Sequence, residues 1–192
     1  MIATGLACLA LLAGAAPVEE VVAPPRDTFP EELAGLRLDV SATLRDTWAW
    51  SGKWERLPAT LVIEVAIRNV GDTPITVPTR PYLAWRNNKI HWSDHEQVWL
   101  FIEQPTFKQE QTVVNDATFA PVRLQQKEVT LLYRAVHVAP SLEAARRTTY
   151  LSARFHVAPR LAANRGWWSG TISRLAPIEK FLEEEPPDRT GK

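Results

Sequence analysis

Residues 61–68 read Leu-Val-Ile-Glu-Val-Ala-Ile-Arg, with Leu61, Ile63, Val65 and Ile67 at the odd positions and Glu64 and Arg68 at even ones. A period of two puts the four large aliphatic side chains on one face of an extended strand, and a helix would spread them around its axis. The next six residues, Asn69-Val-Gly-Asp-Thr-Pro74, combine side chains that bond their own backbone with a glycine and a proline. The chain therefore turns there. Ile75-Thr76-Val77 then reads as a returning strand. A strand, a tight turn and a second strand constrain this chain to a layered sheet architecture.

The rest of the chain repeats the pattern. Residues 36–44 alternate strictly, predicting Leu36, Leu38, Val40, Ala42 and Leu44 inward. Residues 98–102 form a short continuous apolar run suited to a central strand, and residues 129–138 a long strand stopped by Pro140. In residues 150–157, Leu151, Ala153, Phe155 and Val157 share one face, and Pro159 ends the strand. Residues 178–182 read as a final strand, with a helix running into Glu183-Glu184-Glu185 as the alternative. Residues 104–120 are polar and irregular, and residues 141–149 are long enough for a helical turn. The fold class expected is all-β: a single antiparallel sandwich of about seven to nine strands over residues 36–182.

A chain of 192 residues can build a core without metals or disulfides, because a domain of about 150 residues buries about 70% of its unfolded surface. Lys and Arg total 22 and so do Asp and Glu, so no net field draws the chain to nucleic acid or an anionic membrane. Nucleic acid is thereby set aside as a partner. Eight tryptophans and fifteen prolines suit strands joined by tight turns.

The first fifteen residues are apolar and end in Ala13-Gly14-Ala15, a small-x-small cleavage pattern, although no Lys or Arg precedes the run. They are too short to cross a bilayer, which takes about 20 residues, and are expected to be a signal peptide. Residues 16–35 are expected to be a proline-rich linker and residues 183–192 a disordered tail. Cys8 is the only cysteine, and the apolar run continues past it, so lipid anchoring there is not expected. Cleavage after Ala15 leaves no thiol, hence no disulfide framework and no cysteine chemistry. The protein is expected in the periplasm or outside the cell, with no membrane span once the signal is removed.

Three stretches carry a resemblance: Val65-x-Ile67-x-Asn69-x-Gly71-Asp72-x-Pro74-Ile75-x-Val77, Tyr150-Leu-Ser-Ala-Arg-Phe155, and Trp168-Ser-Gly170-Thr-Ile-Ser173. Together they resemble secreted bacterial Ig-like or fibronectin-like domains, with Thr148-Thr149 where such domains place a glycine before the tyrosine. The resemblance implies a sandwich fold and export. Its motifs are structural and imply no activity.

Two clusters are candidates for function. His91-Trp92-Ser93-Asp94-His95-Glu96 places two histidines four apart with acidic neighbours, which a zinc-type site would use, but it lacks the H-E-x-x-H order. In a loop between strands a solvated turn in which Asp94 caps local backbone is the favoured reading, so no metal or other cofactor is assigned. A third ligand would have to be His137 or His156, both on predicted strands. Nucleophile elbow, P-loop and dinucleotide motifs are absent. Trp48, Trp50 and Trp54 surround a Ser-Gly turn, and an aromatic patch of this kind marks a protein interface or, with polar groups around it, a sugar-binding face. Adjacent Trp167 and Trp168 must point to opposite faces of an extended segment. The expectation is a non-catalytic exported module binding an envelope or extracellular protein through Trp48, Trp50 and Trp54, with His91 and Trp92 as a second surface. A carbohydrate-binding module is the alternative, and a metal-dependent enzyme the second alternative.

Overall fold

A computed structural model describes residues 29–51, 53–85, 97–103, 119–138, 143, 147 and 149–183, with the side chains of residues 50, 84 and 85 excluded. The predicted signal peptide, most of the linker, the His91 to Glu96 cluster and all of the tail except residue 183 lie outside these residues.

The described chain is nearly all strand, with one short helix described from end to end and residues 143 and 147 also helical, within the stretch expected to hold a helical turn. Its strands are β1 (Glu32–Leu33), β2 (Leu36–Asp46), β3 (Trp48–Trp50), β4 (Trp54–Arg56), β5 (Thr60–Asn69), β6 (Ile75–Thr79), β7 (Tyr82–Trp85), β8 (Val98–Glu103), β9 (Ala120–Leu124), β10 (Val129–Val138), β11 (Tyr150–Val157) and β12 (Gly170–Leu182). Helix α1 (Pro159–Ala163) follows β11, with proline in its first turn where the missing N–H costs nothing. Pro159 both ends the strand, as its sequence position predicts, and opens this helix.

The main sheet runs β10-β5-β2-β12-β11-β8-β7, with β1 paired to β2 as an offshoot. It is all-β as expected, and its seven strands curl into one half-barrel in which two facing sheets are not clearly separate. The cause is local. Strand β2 pairs antiparallel with β5 along its length, from Leu36 opposite Asn69 to Arg45 opposite Thr60. Its last residues also pair in parallel with β12, from Ala42 opposite Ile178 to Asp46 opposite Leu182, which joins the two halves. Pro177 marks the hand-over: β12 pairs with β11 as far as Tyr150 opposite Pro177, and with β2 from Ile178 onward. Residues 178–182 are thus strand, continuous with residues 170–177, and the helical alternative is set aside. β7 also pairs in parallel with β8, so the sheet is mixed instead of purely antiparallel.

The alternation read from the sequence sets the core. Leu36, Leu38, Ala42 and Leu44 on β2 and Leu61, Ile63, Val65 and Ile67 on β5 are buried. They form one cluster with Leu100, Ile102, Leu151, Phe155 and Ile172 from the other half. One returning strand behaves otherwise than expected. β6 follows the turn after β5 but pairs with β9, Ile75 opposite Leu124, because β2 and β10 already occupy both edges of β5. Asn69 fixes that departure: its fully buried amide donates to the Thr73 and Leu124 carbonyls at 2.9 and 3.0 Å and accepts from Gly71 N–H at 3.0 Å.

Candidate functional site

Strands β3 and β4 form a separate two-stranded hairpin, Trp48 opposite Arg56 and Trp50 opposite Trp54, closed by Ser51 N–H donating to the Lys53 carbonyl at 3.1 Å. The Ser-Gly turn between the tryptophans is the tip of this hairpin. It leaves the barrel where β2 ends. Leu57 N–H donates to the Thr47 carbonyl at 2.9 Å, and Trp48 N–H to Glu183 Oε2 at 3.0 Å, tying both hairpin ends to the exits of β2 and β12.

Arg56 orients the hairpin. Its guanidinium lies 4.9 Å from the Trp48 ring centroid, and its Nε is 3.3 Å from Oδ1 of Asp46, whose side chain is fully buried. A buried carboxylate beside an arginine that also stacks on an indole holds the base of the hairpin rigid. The Trp48 Nε1–H is buried and meets no acceptor among the described residues.

The exposed apolar side chains of this end come from separate segments. Trp54 and Leu57 on the hairpin, and Phe181 and Leu182 at the end of β12, are between 41% and 59% exposed. Phe181 and Leu182 stand opposite Arg45 and Asp46, immediately before the hairpin begins. Lys53 and Glu55, paired at 3.2 Å, supply a charged rim. Trp54 stands out in the sequence, whereas Phe181 and Leu182 do not, because only the parallel β2–β12 pairing brings the C-terminal strand to the hairpin. Of the other expected site residues, Trp50 is described by its backbone alone, and His91 and Trp92 lie outside the described residues.

A second aromatic group lies on the outer side of the other half. On β8 the inward residues Val98, Leu100 and Ile102 are buried, while Trp99 and Phe101 are half-buried on the opposite face. Phe101 stacks on Trp99 at 5.9 Å, Trp99 tilts against Tyr82 at 5.0 Å, Tyr82 meets Phe119 edge-on at 5.8 Å, and Phe119 meets Trp167 at 6.3 Å. Arg165 lies over Trp167 at 4.7 Å. The neighbouring Trp168 turns inward, stacks on Phe155 at 6.1 Å and donates its indole N–H to the Leu33 carbonyl at 3.0 Å. Rings from four separated segments make this row, so no local pattern announces it.

The two described histidines are apart. His137 on β10 lies 3.0 Å from the Tyr133 hydroxyl, and burial lowers its pKa. His156 on β11 lies 2.8 Å from the Thr171 hydroxyl. Strands β10 and β11 are not neighbours in the sheet. Among the described residues no group of three or more His, Cys, Asp or Glu is placed to hold a metal ion, and no helix is long and apolar enough to cross a membrane. No protein-family model, curated protein or solved structure matches the chain.

Proposed function

We propose that this is an exported, non-catalytic binding module that docks a protein of the cell envelope or exterior through the hairpin end. The observation that carries the reading is that two segments meeting at this end both expose apolar side chains, Trp54 and Leu57 on either side of Arg56, which pairs with Asp46, and Phe181 and Leu182 opposite Arg45 and Asp46, with the Lys53–Glu55 pair flanking Trp54. An apolar centre with aromatic side chains and a charged margin is the anatomy of a protein interface. Export rests on the apolar residues 1–15 and their small-x-small end.

The finer architecture is an Ig-like one. In such sandwiches strands A, B and E form one sheet and C, F and G the other. Taking β2, β5, β8, β10, β11 and β12 as A, B, C, E, F and G reproduces that partition, with the parallel β2–β12 seam joining the halves.

A carbohydrate-binding face is the second reading, favoured by the half-exposed row from Phe101 to Trp167 with Arg165 at its end. Affinity capture from the envelope fraction of the protein's own source separates the two. A stoichiometric protein lost on Trp54→Ala together with Phe181→Ser supports the hairpin reading. Polysaccharide lost on Trp167→Ala, with the hairpin variants unaffected, replaces it.

A further inference from the structure

We propose that the cleft between β2 and β12 is a binding groove for an extended peptide, in which residues 29–33 of this chain sit as a displaceable arm. Among the described residues β2 and β12 pair with each other only from Ala42 and Ile178 onward. Before that point residues 29–33 bridge them: the Glu31 carbonyl accepts from Leu38 N–H of β2 at 3.1 Å, and the Pro30 carbonyl from Ser173 N–H of β12 at 2.9 Å. The Phe29 carbonyl accepts from the Ser173 hydroxyl at 3.0 Å, and the Leu33 carbonyl from the Trp168 indole N–H at 3.0 Å. The groove thus offers four donors to four carbonyls of a five-residue segment. That is recognition of peptide backbone, as in strand addition.

The groove residues are buried and the arm is not. Leu38, Ser173 and Trp168 are 0%, 1% and 7% exposed, whereas Phe29 and Leu33 are each 38% exposed and every residue from 29 to 34 lies at the surface. A segment that buries little apolar area and is held by surface hydrogen bonds is the kind that opens locally. Its hinge is present. Ala34, at φ 49°, joins the arm to Gly35, whose carbonyl is held by Val70 and Gly71 N–H at 2.8 and 3.2 Å. A left-handed backbone is strained at alanine, so swinging the arm out relaxes Ala34 while Gly35 keeps β2 in place.

Side chains of the groove define the peptide. The Arg154 guanidinium lies 4.6 Å from the Phe29 ring centroid, and Arg174 pairs with the Glu31 carboxylate. A Cβ on Gly170 would stand 2.6 Å from Leu33 Cδ2, so this glycine makes room for the leucine. The occupant is therefore an extended segment with an aromatic residue, an acid and a leucine at every second position. The groove lies along the start of β2 and the hairpin leaves from its end, so the two surfaces are tested separately.

Fluorescence anisotropy of a labelled synthetic peptide, Asp27-Thr-Phe-Pro-Glu-Glu-Leu-Ala34, titrated with the full chain tests this. The tethered arm competes at an effective concentration of about millimolar. A chain carrying Leu33→Asp is therefore expected to bind the peptide about tenfold more tightly than the wild type does, and a peptide carrying Leu33→Asp to bind neither. A second variant leaves the arm's own contacts at residues 29, 31 and 33 intact. On a Cys8→Ser background, Glu32→Cys with Arg37→Cys, Cα partners in the β1–β2 ladder, lock the arm in place when oxidised. Peptide bound by the reduced chain and lost on oxidation supports the proposal. Equal binding in the two states, or no binding to any of these chains at millimolar concentration, overturns it.

Discussion

The Asn69 side chain donates to the Leu124 backbone carbonyl at 3.0 Å, joining the end of β5 to the end of β9 across 55 residues of sequence. The same amide donates to Thr73 and accepts from Gly71, so one buried side chain closes the turn and anchors the strand pair β6–β9. Each such bond contributes about 0.5–1.5 kcal/mol and leaves a buried partner when broken, so Asn69→Ala should cost about 2–4 kcal/mol. Asn69→Asp should cost at least as much, because a carboxylate cannot donate to either carbonyl. Urea unfolding midpoints check both.

The turn between β1 and β2 depends on Gly35, at φ +77°, after Ala34 at φ 49°. Its carbonyl accepts from Val70 N–H at 2.8 Å and Gly71 N–H at 3.2 Å, and a Cβ at Gly35 would meet Ile75 Cδ1 at 3.2 Å and Gly71 Cα at 3.3 Å. Gly35→Ala should therefore destabilise by about 1–2 kcal/mol from the left-handed backbone alone. A smaller loss of thermal stability than that would show the turn to be freer than described.

Trp168 and Trp54 should separate core from surface. Trp168 is buried against Phe155 with its N–H bonded, and Trp168→Ala should cost about 3–5 kcal/mol. Trp54 is exposed, and Trp54→Ala should cost less than about 1 kcal/mol. Chemical denaturation of the two variants side by side gives the comparison.

Strand β10 should make stability depend on pH at both ends of the scale. Burial lowers the His137 pKa from 6.5, so below about pH 6.5 the unfolded chain takes up the proton more readily and stability falls as pH drops. Burial pushes the Tyr133 hydroxyl from 10.0 up to about 12, so the folded chain keeps its proton longer and stability falls as pH rises through that window. His137→Gln should flatten the acid limb and Tyr133→Phe the alkaline limb of unfolding midpoints measured against pH.

Much of the sheet is legible in the sequence because one buried face forces a period of two, as in β2, β5 and β11. The pairing partners are not. Nothing in residues 75–79 tells that β6 will pair with β9, since that depends on both edges of β5 being taken. Residues 178–182 were ambiguous because an apolar stretch before three glutamates suits either conformation, and pairing with β2 decides it. At the hairpin, Trp48 and Trp54 were visible as an aromatic cluster, but Phe181 and Leu182 are more than a hundred residues away and join it only through the parallel seam. The bulge in β10, where the register slips between Leu131 and Tyr133, escapes a reading of alternation because Leu131 and Leu132 are both apolar, which hides the slip.

The central claim is that the hairpin end is the binding surface, and photo-crosslinking in the source cell tests it most directly. A photoreactive amino acid replaces Trp54 in one strain and Gln126, an exposed residue of the turn between β9 and β10, in another. The account predicts a discrete protein adduct at position 54 and none at 126. An adduct at 126 alone, equal adducts at both, or none at 54 with the protein folded and exported would contradict it.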